Sequence, residues 1–238
     1  MIDGLWRCEE GVIDIDIFRD TLYAQILNSS IQMVSETEII KMMKTSKRWS
    51  LQDSLGATHE GFDYIVRATY GNDQIQSEDI DLKTTEYEYH RTIILEVESD
   101  SPTMGLTVMD GDFLTVLPKG FTHSFLIYAP SISVLDRFHG KNPKLSWKDS
   151  KEDIEFAIDQ LITRTQMWLP DFNVKEQSGG LVTTRSIQPA VSATDKRVSQ
   201  TKWLSEEIVE IWSGKIDHCI EISEKISNQI DFKCRMQR

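Results

Sequence analysis

From Tyr87 to Ser99 the chain reads YEYHRTIILEVES, in which Tyr87, Tyr89, Ile93, Leu95 and Val97 alternate with polar residues. A side-chain period of two held this long predicts an antiparallel strand with one buried face and one wet face. Such a strand needs neighbours, and short extended runs follow at Leu106 to Met109, Phe113 to Leu117, Ser124 to Tyr128 and Ile132 to Val134. Asp110-Gly111 separates the first two runs, and glycine supplies the positive φ that a tight hairpin turn demands. Pro118 cannot donate to a ladder and ends the second run. The middle of the chain is therefore expected to be an antiparallel sheet.

The flanks read differently. Gly11 to Ile15 is expected to end a strand, and Asp14 or Asp16 to cap a helix with Ile17, Phe18, Leu22 and Ile26 on one face, fading near Asn28. Ile31 to Val34 reads as a short strand, followed by a weakly patterned polar region as far as Glu60. In GFDYIVRATYG the apolar run Tyr64 to Val66 suits a buried parallel strand. Lys151 to Trp168 has Ile154, Ala157, Ile158, Leu161, Ile162 and Thr165 at helical spacing, with Pro170 as a stop. Gln177 to Gly180 reads as a boundary or loop. Glu207 to Trp212 then predicts a strand, and Ser213-Gly214-Lys215 leads into a helix with Ile216, Ile220, Ser223, Ile226 and Ile230 inward.

Composition narrows the function. The 38 acidic and 26 basic residues give a net charge of −12, which argues against nucleic acid or an anionic membrane as partner. There is no apolar run near the ~20 residues that span a bilayer, nor a secretory leader pattern, so a cytoplasmic address is expected. Cys8, Cys219 and Cys234 lack C-x-x-C spacing, and the five histidines lack H-x-x-x-H spacing, so no metal is expected.

Four segments, in order, resemble the flavin-dependent oxidoreductases of the D-amino-acid oxidase and glycine oxidase type. FDYIVRATYG resembles the strand and A-T-x-G turn leading out of the flavin domain. LTVMDGDFLTVLPKG with SFLIYAP resembles the substrate-domain hairpin over the flavin. TTRSIQPAVSATDKR resembles the arginine-and-proline segment returning to it, and SGKIDHCIEISEKI the closing turn and helix. Members of that family begin with a strand, a G-x-G-x-x-G turn and a helix that hold the pyrophosphate. The twelve glycines here include no G-x-G, so the sequence resembles the later two-thirds of such an enzyme.

The resemblance implies an α+β protein whose antiparallel substrate-domain sheet is inserted between partial α/β flavin-domain segments. The expected divisions are 1–73, 74–178 and 179–238. It implies cofactor contacts at Ala68, Thr69, Gly71, Ser213, Gly214 and Lys215, where a helix start offers backbone N–H groups to an anionic reduced ring. It implies Arg185 as the guanidinium fork for a substrate carboxylate, with Tyr128 donating its hydroxyl to the same group. The bland alternatives are a plain strand-turn-helix junction, a surface arginine and a half-buried sheet tyrosine. Arg67 stands where the family has a small or amide residue, and is expected to reach solvent or crowd the ring. Cys219 is expected to be buried against Ile216 and Ile220. The implied activity is oxidation of an amino or hydroxy acid with FAD, bound weakly or not at all unless a nucleotide-binding partner chain completes the site. The alternative is a catalytically silent remnant that serves as a ligand- or partner-binding module.

Overall fold

The computed structural model describes residues 4–9, 11–70, 75–80, 82, 86–109, 113–141, 150–187 and 199–236. In chain order the elements are α1 (Ile15–Leu27), β1 (Ile39–Thr45), β2 (Arg48–Asp53), β3 (Thr58–Phe62), β4 (Ile65–Arg67) and β5 (Gln76–Ser77). There follow β6 (Tyr87–Ser99), β7 (Leu106–Thr107), β8 (Thr115–Pro118), β9 (Ser124–Tyr128), α2 (Pro130–Ser133), β10 (Val134–Gly140) and α3 (Lys151–Trp168). Last come β11 (Val174–Ile187), β12 (Gln200–Trp203), β13 (Ile208–Trp212), a 3-10 turn (Ile216–His218) and α4 (Cys219–Met236). The result is an α+β fold with open, mainly antiparallel sheets. Among the described residues no helix is long and apolar enough to cross a membrane.

The chain divides into two compact units. The first comprises Met1–Met33, Arg91–Asp136 and Trp147–Thr184; the second comprises Val34–His90, Arg137–Ser146 and Arg185–Arg238.

The first unit is built on the alternating strand. Its strands pair in the order β6-β9-β8-β7, with β11 also pairing with β6. Leu95 lies opposite Ile127 and Val97 opposite Phe125, and Val116 also faces Ile127, so their side chains share one face. That face packs on Ala157, Ile158 and Leu161 of α3, with Phe125 edge-on to Phe172 at 5.3 Å. Ser150 caps α3 by accepting from the Asp153 N–H, as the acidic first turn leads one to expect. The opposite face carries Ile94, Glu96, Thr115, Leu117, Leu126 and Tyr128, all only half-buried. The expected hairpin is present: Leu106 pairs with Val116, Thr107 with Thr115, and the Val108 N–H donates to the Leu114 carbonyl. Its Asp110-Gly111 turn lies outside the described residues.

The second unit has three layers. Its middle sheet runs β12-β13-β4, with β13 and β4 parallel. One face packs Val209 against Ile222 and Ile226 of α4, flanked by Trp203, Ile211 and Ile230. The other packs Ile65 and Ile208 on Met42 and Trp49 of the antiparallel meander β1-β2-β3. The Lys44 ammonium meets Glu207 at 3.0 Å. Burial works to raise that carboxyl, but Lys44 prevails and holds it below its ordinary value.

Several local expectations differ from the structure. The meander falls in the weakly patterned region, where two extended runs flank a Ser46-Lys47 turn with Ser46 at φ 59°. Neither Gly11 to Ile15 nor Ile31 to Val34 forms a strand, because a strand needs a ladder partner and no described residue supplies one. Asp14 instead caps α1, accepting from the Asp16 and Ile17 N–H groups. Pro130, pre-set for a first helical turn, makes Pro130–Ser133 helical and delays the next strand to Val134. Gln177 to Gly180 lie inside β11, where pairing with β6 overrides the loop composition. In α4 the inward residues are Ile222 and Ile226, with Ile230 half-buried; Ile220 and Ser223, expected inward, are exposed, as are Ile216 and Cys219, which stand before and at the helix start.

Candidate ligand site at the carboxyl ends of β4 and β13

Ile65 lies opposite Ile208, Val66 opposite Val209 and Arg67 opposite Glu210, so the two parallel strands finish side by side. Ala68-Thr69-Tyr70 leaves one strand, and Ser213-Gly214-Lys215 leaves the other. Five of the six expected cofactor residues thus fall at one edge of the second unit, and Gly71 lies outside the described residues. The carboxyl edge of parallel strands is where α/β sheets take ligands, since loops diverge there and leave a crevice.

Beneath that edge the Arg67 guanidinium meets Glu210 at 3.2 Å, with only 5% of the arginine side chain exposed. Arg67 therefore neither reaches solvent nor projects freely toward a ligand. Cross-strand register puts the two charges opposite each other, and the pair fastens β4 to β13.

The turn after β13 is held by Ser199. Its Oγ accepts from the Gly214 N–H at 3.1 Å and lies 2.8 Å from His218 Nδ1. The Ser213 hydroxyl donates to the Lys215 carbonyl at 2.8 Å. The Gly214 N–H is thus spent inside the turn. Lys215 precedes the 3-10 turn, and α4 starts four residues further on at Cys219. The backbone at Ser213 to Lys215 shapes the edge; the N-terminus of α4 itself lies beyond it.

The loop after β4 contains Tyr70 at φ 51°, a left-handed conformation that costs a non-glycine residue about 1–3 kcal/mol. Two contacts hold it there. The Ser186 hydroxyl donates to the Tyr70 carbonyl at 3.1 Å, and the Tyr70 ring stacks on Trp212 with centroids 6.3 Å apart and planes 7° from parallel. Trp212 is 7% exposed, and its Nε1 is buried without a hydrogen-bond partner. A buried donor left without a partner costs about 1–3 kcal/mol. This orphan N–H lies beside the stacked Tyr70 and Trp212 rings at the end of β13.

Arg185 is half-buried next to Ser186 in the second unit, on β11. Tyr128 ends β9 in the first unit, on the half-buried face of the sheet opposite Thr115. Pro189, expected near Arg185, lies outside the described residues. Sequence reasoning missed Tyr70, Ser186, Ser199 and Trp212. Tyr70 and Trp212 do adjoin the singled-out turns, but their stacking joins positions far apart in sequence. Among the described residues no group of three or more His, Cys, Asp or Glu side chains could hold a metal ion.

Neither a protein-family profile nor a search of curated protein sequences returns a match. Solved structures do. The open form of NikD, an unusual amino acid oxidase essential for nikkomycin biosynthesis, superposes with a TM-score of 0.59 at 11% identity, covering 85% of this chain and 52% of that one. A point mutant of NikD gives 0.59 at 10% identity, covering 86% and 53%. Klebsiella pneumoniae HpxO, complexed with FAD and uric acid, gives 0.41 at 11% identity over 82% and 46%. The chain shares the fold of the matching part of NikD and spans about half the length of that protein.

Proposed function

We propose that this chain is the substrate-domain and closing portion of an FAD-dependent oxidoreductase of the D-amino-acid oxidase and glycine oxidase type, acting on an amino or hydroxy acid. The observation that carries this reading is the pair of parallel strands whose carboxyl ends bring Ala68, Thr69 and Tyr70 beside Trp212, Ser213 and Gly214. The NikD-like fold supports it. The flavin, when bound, supplies the acceptor for a hydride removed from the substrate carbon.

The chain's own residues orient and enclose. Trp212, Tyr70 and the Ser213 to Lys215 backbone would bound the ring edge, and Arg185 would offer a planar fork to a substrate carboxylate. Glycine-rich phosphate contacts are lacking in this sequence, so a nucleotide-binding polypeptide completes the cofactor site and raises its affinity. α1 supports that complement: none of its residues is buried, and Ile15, Ile17, Leu22 and Leu27 are all exposed. An amphipathic helix of this length owes its stability to packing on a neighbour.

The test is titration of the purified chain with FAD, followed by the visible absorbance of the flavin. A saturable spectral shift is expected, weak alone and tightened by a nucleotide-binding polypeptide. Absence of any shift up to millimolar FAD would overturn the reading. In the complemented enzyme, Arg185→Ala should raise KM strongly while leaving flavin absorbance intact; unchanged turnover would remove Arg185 from the site.

A further inference from the structure

Among the described residues four buried side-chain atoms stand out for want of a close acceptor: Trp49 Nε1, the Tyr64 hydroxyl, Arg67 Nε and Trp212 Nε1. Three of them have polar company. Trp49 faces Glu207, Tyr64 lies by the Cys234 thiol, and Arg67 meets Glu210. Trp212 Nε1 has no hydrogen-bond partner among the described residues, and its residue ends β13 immediately before the Ser213 turn of the candidate edge. Its strand position puts it on the same sheet face as Ile208 and Glu210, away from Val209, Ile211 and α4. Its ring is held from the side by Tyr70, whose own strained backbone is pinned by Ser186. An indole buried and immobilised in this way has lost its freedom before any ligand arrives, which removes that cost from binding.

We propose that the Trp212 N–H is the donor this chain reserves for an acceptor on the edge of the flavin ring, with Tyr70 as the positioning residue that fixes the indole. The proposal rests on the flavin reading above and assigns one donor within it. The indole N–H can only donate. It therefore recognises a carbonyl or unprotonated ring nitrogen and gives nothing to a ligand edge made of N–H groups. The assignment is to the flavin ring, whose edge carbonyls the adenine of the adenylate portion lacks.

The test uses the full chain titrated with FMN, FAD and, as a control without the isoalloxazine ring, ADP, read by flavin absorbance, tryptophan emission and ligand-induced change in Tm. FMN and FAD should quench emission and raise Tm, whereas ADP should do neither. Trp212→Phe should weaken FMN binding about tenfold, equivalent to ~1.4 kcal/mol, and lose part of the quenching. Trp212→His, which retains a ring N–H, should recover part of the affinity. Equal FMN affinity with an unchanged spectral shift in Trp212→Phe would overturn the assignment while leaving the flavin reading intact. A wild type indifferent to both flavins would overturn both. Indole 15N–1H spectra of the wild type give an independent reading. The signal missing from Trp212→His must move when FMN is added, and a stationary signal overturns the proposal even if Trp212→Phe fails to fold.

Discussion

Replacing Glu210 with glutamine keeps the side chain's size and removes its charge, leaving the Arg67 guanidinium buried opposite a neutral amide. Breaking a fully buried ion pair by removing one partner costs about 3–5 kcal/mol, because the remaining charge is uncompensated. Glu210 retains 18% side-chain exposure against 5% for Arg67, so water relieves part of that loss. We expect a cost of about 2–3 kcal/mol, set by the desolvated arginine. For a chain of this size that corresponds to a fall in Tm of roughly 4–12 °C in the transition of the second unit. Urea denaturation followed by tryptophan fluorescence measures it, since Trp49, Trp203 and Trp212 belong to that unit. Because the pair joins β4 to β13 directly below the candidate site, Glu210→Gln should also loosen FMN binding. A destabilisation under about 0.5 kcal/mol would refute the reasoning, since it would mean that water or other groups already screen Arg67.

Two further outcomes can be checked on the unliganded protein. Leu161 is fully buried between α3 and the first unit's sheet, so Leu161→Ala should cost about 3–4 kcal/mol, seen as an earlier transition in calorimetry. Glu88 accepts from His90 at 2.7 Å, and this hydrogen bond, opposed by burial and aided by the charges of His90, His139 and Arg137, holds its carboxyl below the ordinary value. A carboxyl depressed in the folded state adds stability above its unfolded pKa of about 4.3 and loses it as pH falls through the lower, folded value. Acid-titrated stability should therefore decline more gently below that pH in Glu88→Gln than in the wild type; identical profiles would exclude Glu88 as a source.

The elements legible in the sequence are those whose signal is local. Period-two alternation marks β6, helical spacing with an acidic first turn marks α3, and an aspartate cap at Asp14 or Asp16 marks the start of α1, where the structure uses Asp14. The hairpin strands and the buried run at Ile65 follow from the same short-range rules. The candidate site was half legible, because the turn residues Ala68, Thr69, Ser213, Gly214 and Lys215 carry a recognisable pattern around two strand ends.

Only tertiary structure decided the rest. Parallel pairing of β4 with β13 brings together residues about 140 positions apart, and that pairing determines that Arg67 meets Glu210 and Tyr70 meets Trp212. Pairing with β6 turns the glycine-rich stretch at Gly179 and Gly180 into strand, while Ile31 to Val34 remains coil for want of a partner. Side-chain periodicity says which face of an element is apolar. It cannot say which remote face will cover it, because that choice depends on burial and hydrogen bonds that exist only once the elements have docked.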